Sequence, residues 1–240
     1  MDTPVYDSAG TGASADALSL NVPYPSTVIQ NNLLLCHVTQ RDSTHPVNTP
    51  SGWDVISSMI DNTFTIVAYL YGKIATGSES GNLALTCGGS GTISIGARIY
   101  QVRGNATTSY YESVSNAGIG DATSTIFDAD VRTLGPGRLA LNFISDSGVT
   151  GIGDFTGETG GDWTEAVAEY TDGAITPTVQ IQLQQAAMPI AGFIGGGSMA
   201  SGGGQYITIG VAIKPFSLPI SPQLRSYHPK PILRRPIGRR

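Results

Sequence analysis

Apolar and polar residues alternate with a period of two along most of this chain. From Thr92 to Val102 (TISIGARIYQV), Ile93, Ile95, Ala97 and Ile99 fall on one side and Thr92, Ser94, Arg98 and Tyr100 on the other. A helix would scatter those isoleucines around its cylinder, so this segment is a strand. Phe64 to Ala75 (FTIVAYLYGKIA) and Tyr206 to Ile213 (YITIGVAI) alternate in the same way. Thr178 to Gln184 (TVQIQLQ) alternates strictly, which points Val179, Ile181 and Leu183 inward and Gln180, Gln182 and Gln184 outward. Ala17 to Val22 (ALSLNV) starts as a strand and is stopped by Pro23 and Pro25. Two runs are almost wholly apolar, Asn32 to Gln40 (NLLLCHVTQ) and Arg138 to Ile144 (RLALNFI), and suit central strands buried on both faces.

Between these elements lie turns and loops. Residues 1–16 read as an extended lead-in, Arg41 to Pro50 as a polar loop, and Gly88-Gly89-Ser90-Gly91 as a hairpin turn. Gly104 to Gly137 is a looser crossing in which Phe127, Ala129 and Val131 alternate. Glycine-rich loops follow at Ser145–Asp162 and Gly195–Gly204. The two halves echo each other. NLLLCHV resembles RLALNFI, SGWDVIS resembles GDWTEAV, and TISIGARI resembles YITIGVAI, with Leu35 to Leu141, Trp53 to Trp163 and Ile95 to Ile209 separated by 106, 110 and 114 residues. The expected fold is all-β: an antiparallel β-sandwich of jelly-roll or double Greek-key type over residues 17–214, with an extended arm over residues 215–240.

Composition supports this. Charged residues are only 13% of the chain while Gly reaches 31 of 240, so Ser and Thr fill the polar positions and turns are frequent. No run of 18 apolar residues exists to span a membrane, and no basic segment followed by an apolar core opens the chain, so we expect cytosolic synthesis without a secretory leader. Cys36 and Cys87 sit in apolar runs; reducing assembly favours two buried free thiols over a disulfide.

Candidate chemistry is sparse. His37, His45 and His228 fall on a strand, a loop and the arm, and none is spaced with another His, Cys or carboxylate as zinc or triad chemistry needs. His37 and its neighbour Cys36 point to opposite faces of one strand. Asp146, Asp154, Glu158 and Asp162 on a glycine-rich loop offer oxygen ligands of the kind Ca²⁺ takes, but the spacing fits no calcium-loop repeat, and we read a solvated loop. Asn105-Ala106-Thr107 matches a glycosylation acceptor, which carries no meaning without a secretory route. Trp53, Tyr69, Tyr71, Tyr110, Tyr111 and Trp163 could stack on sugar rings; the tryptophans read as paired core anchors, and Tyr110-Tyr111 as the better surface candidate. No catalytic residue, cofactor or metal is expected.

The phrases GTGAS…LSLNVP, NLLLCHV, TPSGW, YLYGKIA and GTISIGARIY, taken in that order, resemble a family of β-sandwich domains found in structural proteins of tailed phages. The resemblance covers about residues 5–214. It implies a virion surface module, in capsid decoration, tail or fibre, assembled in the host cytoplasm, and it brings no catalytic residues with it.

The stretch after Lys214 stands apart from that pattern. Pro215 to Arg240 (PFSLPISPQLRSYHPKPILRRPIGRR) holds six prolines, six cations and no acid, whereas residues 1–214 hold all 18 acids and 7 bases, a net −11. The prolines deny it helix and central-strand structure, and at polyproline spacing it reaches roughly 80 Å. Leu218, Leu224, Tyr227 and Leu233 set apolar teeth between Arg225, Lys230, Arg234, Arg235, Arg239 and Arg240, which a purely solvating tail would not need. A nucleic-acid tail is disfavoured because phosphates repel the acidic body. We expect these residues to strap the protein onto a neighbouring subunit, the major capsid protein or another virion protein, in a homo-oligomer. That makes a capsid decoration or cement protein; the alternative is a tail or fibre component whose sandwich binds host-surface glycans.

Overall fold

The computed structural model describes residues 3–41, 43–60, 66–117, 125–147, 154–172, 179–200 and 204–216, and every regular element within them is a β-strand. The first half supplies β1 (Val5–Ala9), β2 (Ala13–Asp16), β3 (Ser19–Pro23), β4 (Leu33–Gln40), β5 (Asp54–Ile60), β6 (Val67–Ile74), β7 (Asn82–Thr86) and β8 (Ser94–Arg103). The second supplies β9 (Tyr111–Ala117), β10 (Thr125–Phe127), β11 (Val131–Thr133), β12 (Arg138–Asp146), β13 (Thr164–Asp172), β14 (Val179–Met188), β15 (Gly192–Ile194), β16 (Ser198–Ala200) and β17 (Tyr206–Ile213).

Two antiparallel sheets stack as a sandwich. One has the order β1–β8–β4–β6–β5, with β2 also on β8, and the other β9–β17–β12–β14–β13. The two orders are the same once β4, β5, β6 and β8 are matched to β12, β13, β14 and β17, and β1 to β9. Across the sandwich β4 faces β12, β8 faces β14, β6 faces β17 and β5 faces β9. A twofold rotation about a line parallel to the strands, between β4 and β12, generates that set of facing pairs. Equivalent residues near such an axis must touch, and they do. The His37 ring meets the Phe143 ring edge-on at 5.5 Å, and Thr39 Oγ1 donates to Ser145 Oγ at 2.6 Å. Both pairs are 106 residues apart, the separation of Leu35 and Leu141.

The duplication expected from the sequence is therefore present, but not as a jelly roll. A jelly roll sends successive strands to alternate sheets, whereas this chain completes one sheet before beginning the other. Two of the three echoed pairs are equivalent. Trp53 and Trp163 each precede the matching edge strand and are buried on the outer side of their own sheet. Ile95 and Ile209 are not equivalent, since Ile95 lies on the outer face of its sheet and Ile209 on the inner.

Both faces of each sheet are covered. Leu33, Leu35, Leu70 and Tyr100 meet Leu141, Phe143, Ile181 and Ile209 between the sheets. The β3–β7 ribbon lays Leu20, Val22, Leu83 and Leu85 over Leu34, Cys36, Val38 and Ile99. The short ribbons β10–β16 and β11–β15 lay Ile126, Val131, Ile194 and Met199, together with Phe155 and Trp163, over Ala140, Ile144, Ala186 and Ala212. This double covering explains the continuous apolar runs of β4 and β12, which need no solvent face.

It also corrects two expectations. Gln180, Gln182 and Gln184 do leave the inner core, yet all three are buried rather than solvated. Gln184 accepts from Phe155 N–H at 3.4 Å and donates to Asp154 at 3.4 Å. The lead-in is extended but not separate: β1 and β2 pair in sequence along β8. Ser14 Oγ lies 2.9 Å from the Tyr170 hydroxyl on β13, closing one side seam of the sandwich, and Ser57 Oγ donates to Asn116 Oδ1 at 2.9 Å across the other.

Candidate functional site

The arm residues singled out from the sequence, Leu218, Leu224, Arg225, Tyr227, Lys230, Leu233, Arg234, Arg235, Arg239 and Arg240, lie outside the described residues. Its root does not. β17 ends at Ile213, and Lys214 to Phe216 then run against the linker that joins the two halves. Lys214 N–H donates to Tyr110 O at 2.8 Å, Ala106 N–H to Lys214 O at 2.9 Å, and Phe216 N–H to Gly104 O at 2.7 Å, with a bridge between Asn105 and Pro215. The linker leaves β8 as the arm leaves β17, so the two equivalent exits of the duplicated fold are paired to each other.

Asn105 is the node beneath this joint. Its Oδ1 accepts from Leu33 N–H at 2.9 Å, and its Nδ2 donates to Ala106 O at 3.0 Å and Asn31 O at 3.3 Å. Buried and fully engaged, that amide presents nothing to a glycosyl transfer. A recess of about 260 Å³ opens beside the root, lined by Ala106, Thr107, Thr108, Arg138, Lys214 and Phe216. Arg138 is held from behind. Its guanidinium makes two parallel bonds to Glu112, each 3.0 Å, and Nη1 donates to Pro136 O at 2.9 Å. The Glu112 carboxylate also accepts from Leu134 N–H at 2.7 Å. A paired, largely buried guanidinium of this kind positions a surface rather than offering a free charge. Leu134, Ile190 and Phe216 are exposed.

Elsewhere the candidate chemistry is absorbed by the fold. His37 Nε2 lies 2.8 Å from Ser145 Oγ, the spacing of a nucleophile and its base, but both side chains are sealed between the sheets with no exposed surface. Burial holds the imidazole well below its usual range, at about 3, so it stays neutral in the folded protein. His45 Nε2 reaches Ser90 O at 3.0 Å and ties the 44–46 loop to the hairpin turn. Cys36 and Cys87 are free, and burial pushes both thiols up, Cys87 to about 11, which suppresses the reactive thiolate. Among the described residues, no three of His, Cys, Asp and Glu are grouped to hold a metal ion, and Asp146, Asp154, Glu158 and Asp162 are all described.

No family model, curated protein or solved structure matches the chain. Its function therefore rests on its own residues.

The structure bears out the tryptophans as core anchors and corrects Tyr110. Trp53, Tyr69, Tyr71 and Trp163 are buried, the last donating from Nε1 to Asp128 at 2.7 Å. Tyr110, expected at the surface, is buried as well, with its hydroxyl donating to Asp54 at 3.4 Å; its neighbour Tyr111 is half-buried on β9. The sequence missed the root itself, where Glu112 and Arg138 come together from 26 residues apart. The available signal was the position of the linker, directly after β8 in an echo whose counterpart runs directly into the arm.

Proposed function

We propose that this chain is a non-enzymatic structural protein of a tailed-phage virion, a capsid decoration or cement protein. Its duplicated sandwich is the platform, and its basic C-terminal arm straps onto a neighbouring subunit or the shell protein. The observation that carries this is the division of charge, −11 over residues 1–214 against six cations and no acid after them. Copies of such a chain attract one another arm to body, and an acidic shell surface would serve equally. The side chains that looked catalytic are structural, which supports a platform role. The arm's root is built into the pairing of the two halves, so a load on it has somewhere to go.

Truncation after Phe216 tests the reading. The shortened protein should keep its cooperative unfolding transition and lose binding to particles assembled without it. Raising salt should weaken binding of the full chain, because contacts between exposed charges are screened within about 8 Å at 0.15 M. Undiminished decoration by the shortened protein would end the strap proposal.

A further inference from the structure

Three large apolar side chains stand exposed where the arm leaves the body: Leu134 at 71%, Ile190 at 72% and Phe216 at 44%. They belong to different elements gathered around Arg138. Leu134 is bonded through its N–H to Glu112, the partner of Arg138. Ile190 follows Met188, which pairs with Arg138 across β12–β14. Phe216 lines the same recess as Arg138. We propose that this surface is the seat of the uncharged first part of the chain's own arm, residues 217–224, and that only the residues from Arg225 onward extend away from the body.

The arm is not uniform. Pro215 to Leu224 carries no charge at all, while all six cations lie in Arg225 to Arg240. Its first part places Leu218, Ile220 and Leu224 directly after Phe216, which is itself a member of the exposed set. An extended chain advances about 3.3 Å per residue, so Leu218 and Ile220 come within about 7 and 13 Å of Phe216. That span keeps Leu218 and Ile220 beside the recess that Phe216 shares with Arg138, without a second copy. Pro219 and Pro222 lack N–H groups, which suits docking by side chains rather than by adding a strand. The surface is matched to an apolar occupant and not to the cations beyond it, because its acid, Glu112, is already paired with Arg138 and Lys214 adds a like charge.

The consequence is a strap in two parts, an apolar clamp in cis and a basic reach. Sixteen residues at about 3.1 Å each give the reach about 50 Å instead of the roughly 80 Å of the whole arm. This division holds whether or not the basic part meets a virion protein.

Hydrogen exchange on the full chain, at two protein concentrations tenfold apart, tests it. The amides of Leu218, Ile220, Ser221, Gln223 and Leu224 should exchange about tenfold or more slower than those of Arg225 to Arg240, equally at both concentrations. Leu134→Asp with Ile190→Asp should bring them to the rate of the basic part while β12 and β14 keep their protection. Leu218→Asp with Ile220→Asp, which leaves the body untouched, should remove protection from the remaining clamp amides. Uniformly fast exchange over residues 217–240, or protection indifferent to both double substitutions, would overturn the clamp. Protection that grows with concentration would overturn its cis arrangement in favour of a second copy's arm.

Discussion

His37 is a histidine placed where its counterpart in the other half is a phenylalanine, and the two rings touch. Its Nε2 has Ser145, but its Nδ1 finds no partner, so a charged imidazole here would be costly. The folded pKa, about 3, lies below the ordinary 6.5. The unfolded chain therefore takes up the proton first as pH falls. The stability held above about pH 6.5 is lost progressively down to about pH 3, at up to ~1.4 kcal/mol per pH unit. We expect urea midpoints measured from pH 7 to pH 4 to fall steeply for the native chain and distinctly less for His37→Phe, which carries the counterpart's residue. At pH 7 the variant should lose about 1 kcal/mol with the Ser145 bond. Equal slopes for the two proteins would show that other groups set the acid limit.

At the scale of elements, strands with two apolar faces or strict alternation were legible because burial imposes those patterns. β4, β6, β8, β12, β14 and β17 all fall where the periodicity placed them. β1 and β2 (VYDSA, ASAD) carry no such pattern, being edge strands whose order comes from the β8 backbone rather than from apolar side chains. The glutamines of β14 misled for a related reason. Alternation tells which residues leave one core, not whether they then reach solvent. The root was illegible because Glu112 on β9 and Arg138 on β12 are not paired strands; β17 stands between them, and only the folded sheet brings the two together. Their pair also holds the Leu134 turn, so Glu112→Gln should cost about 3 kcal/mol, as removal of one partner of a largely buried ion pair does. Thermal or urea unfolding measures this, and a change within ~0.5 kcal/mol would place the pair among surface bridges of little weight.

For the whole molecule, the pairing of equivalent strands makes the sandwich a dimer-like object built from one chain. Inner-core residues come from both halves, so neither sheet buries its inner face without the other. The break in symmetry is at the exits. One has become the linker to the second half and the other the arm, and their backbones are hydrogen-bonded to each other at residues 104–110 and 214–216.

That joint has a mechanical meaning. A pull on the arm is shared first between the halves by the 104–110 linker, and then passes into β17, which is held on both sides by β12 and β9. Its ladder bonds lie across the direction of the strand, so a pull along β17 loads them together in shear instead of opening them one after another. Tension applied from the C-terminus should meet a much higher rupture force than tension applied through a handle at the edge strand β5. Single-molecule pulling from the two attachment points measures the difference, and equal forces would mean that the arm is not anchored for load.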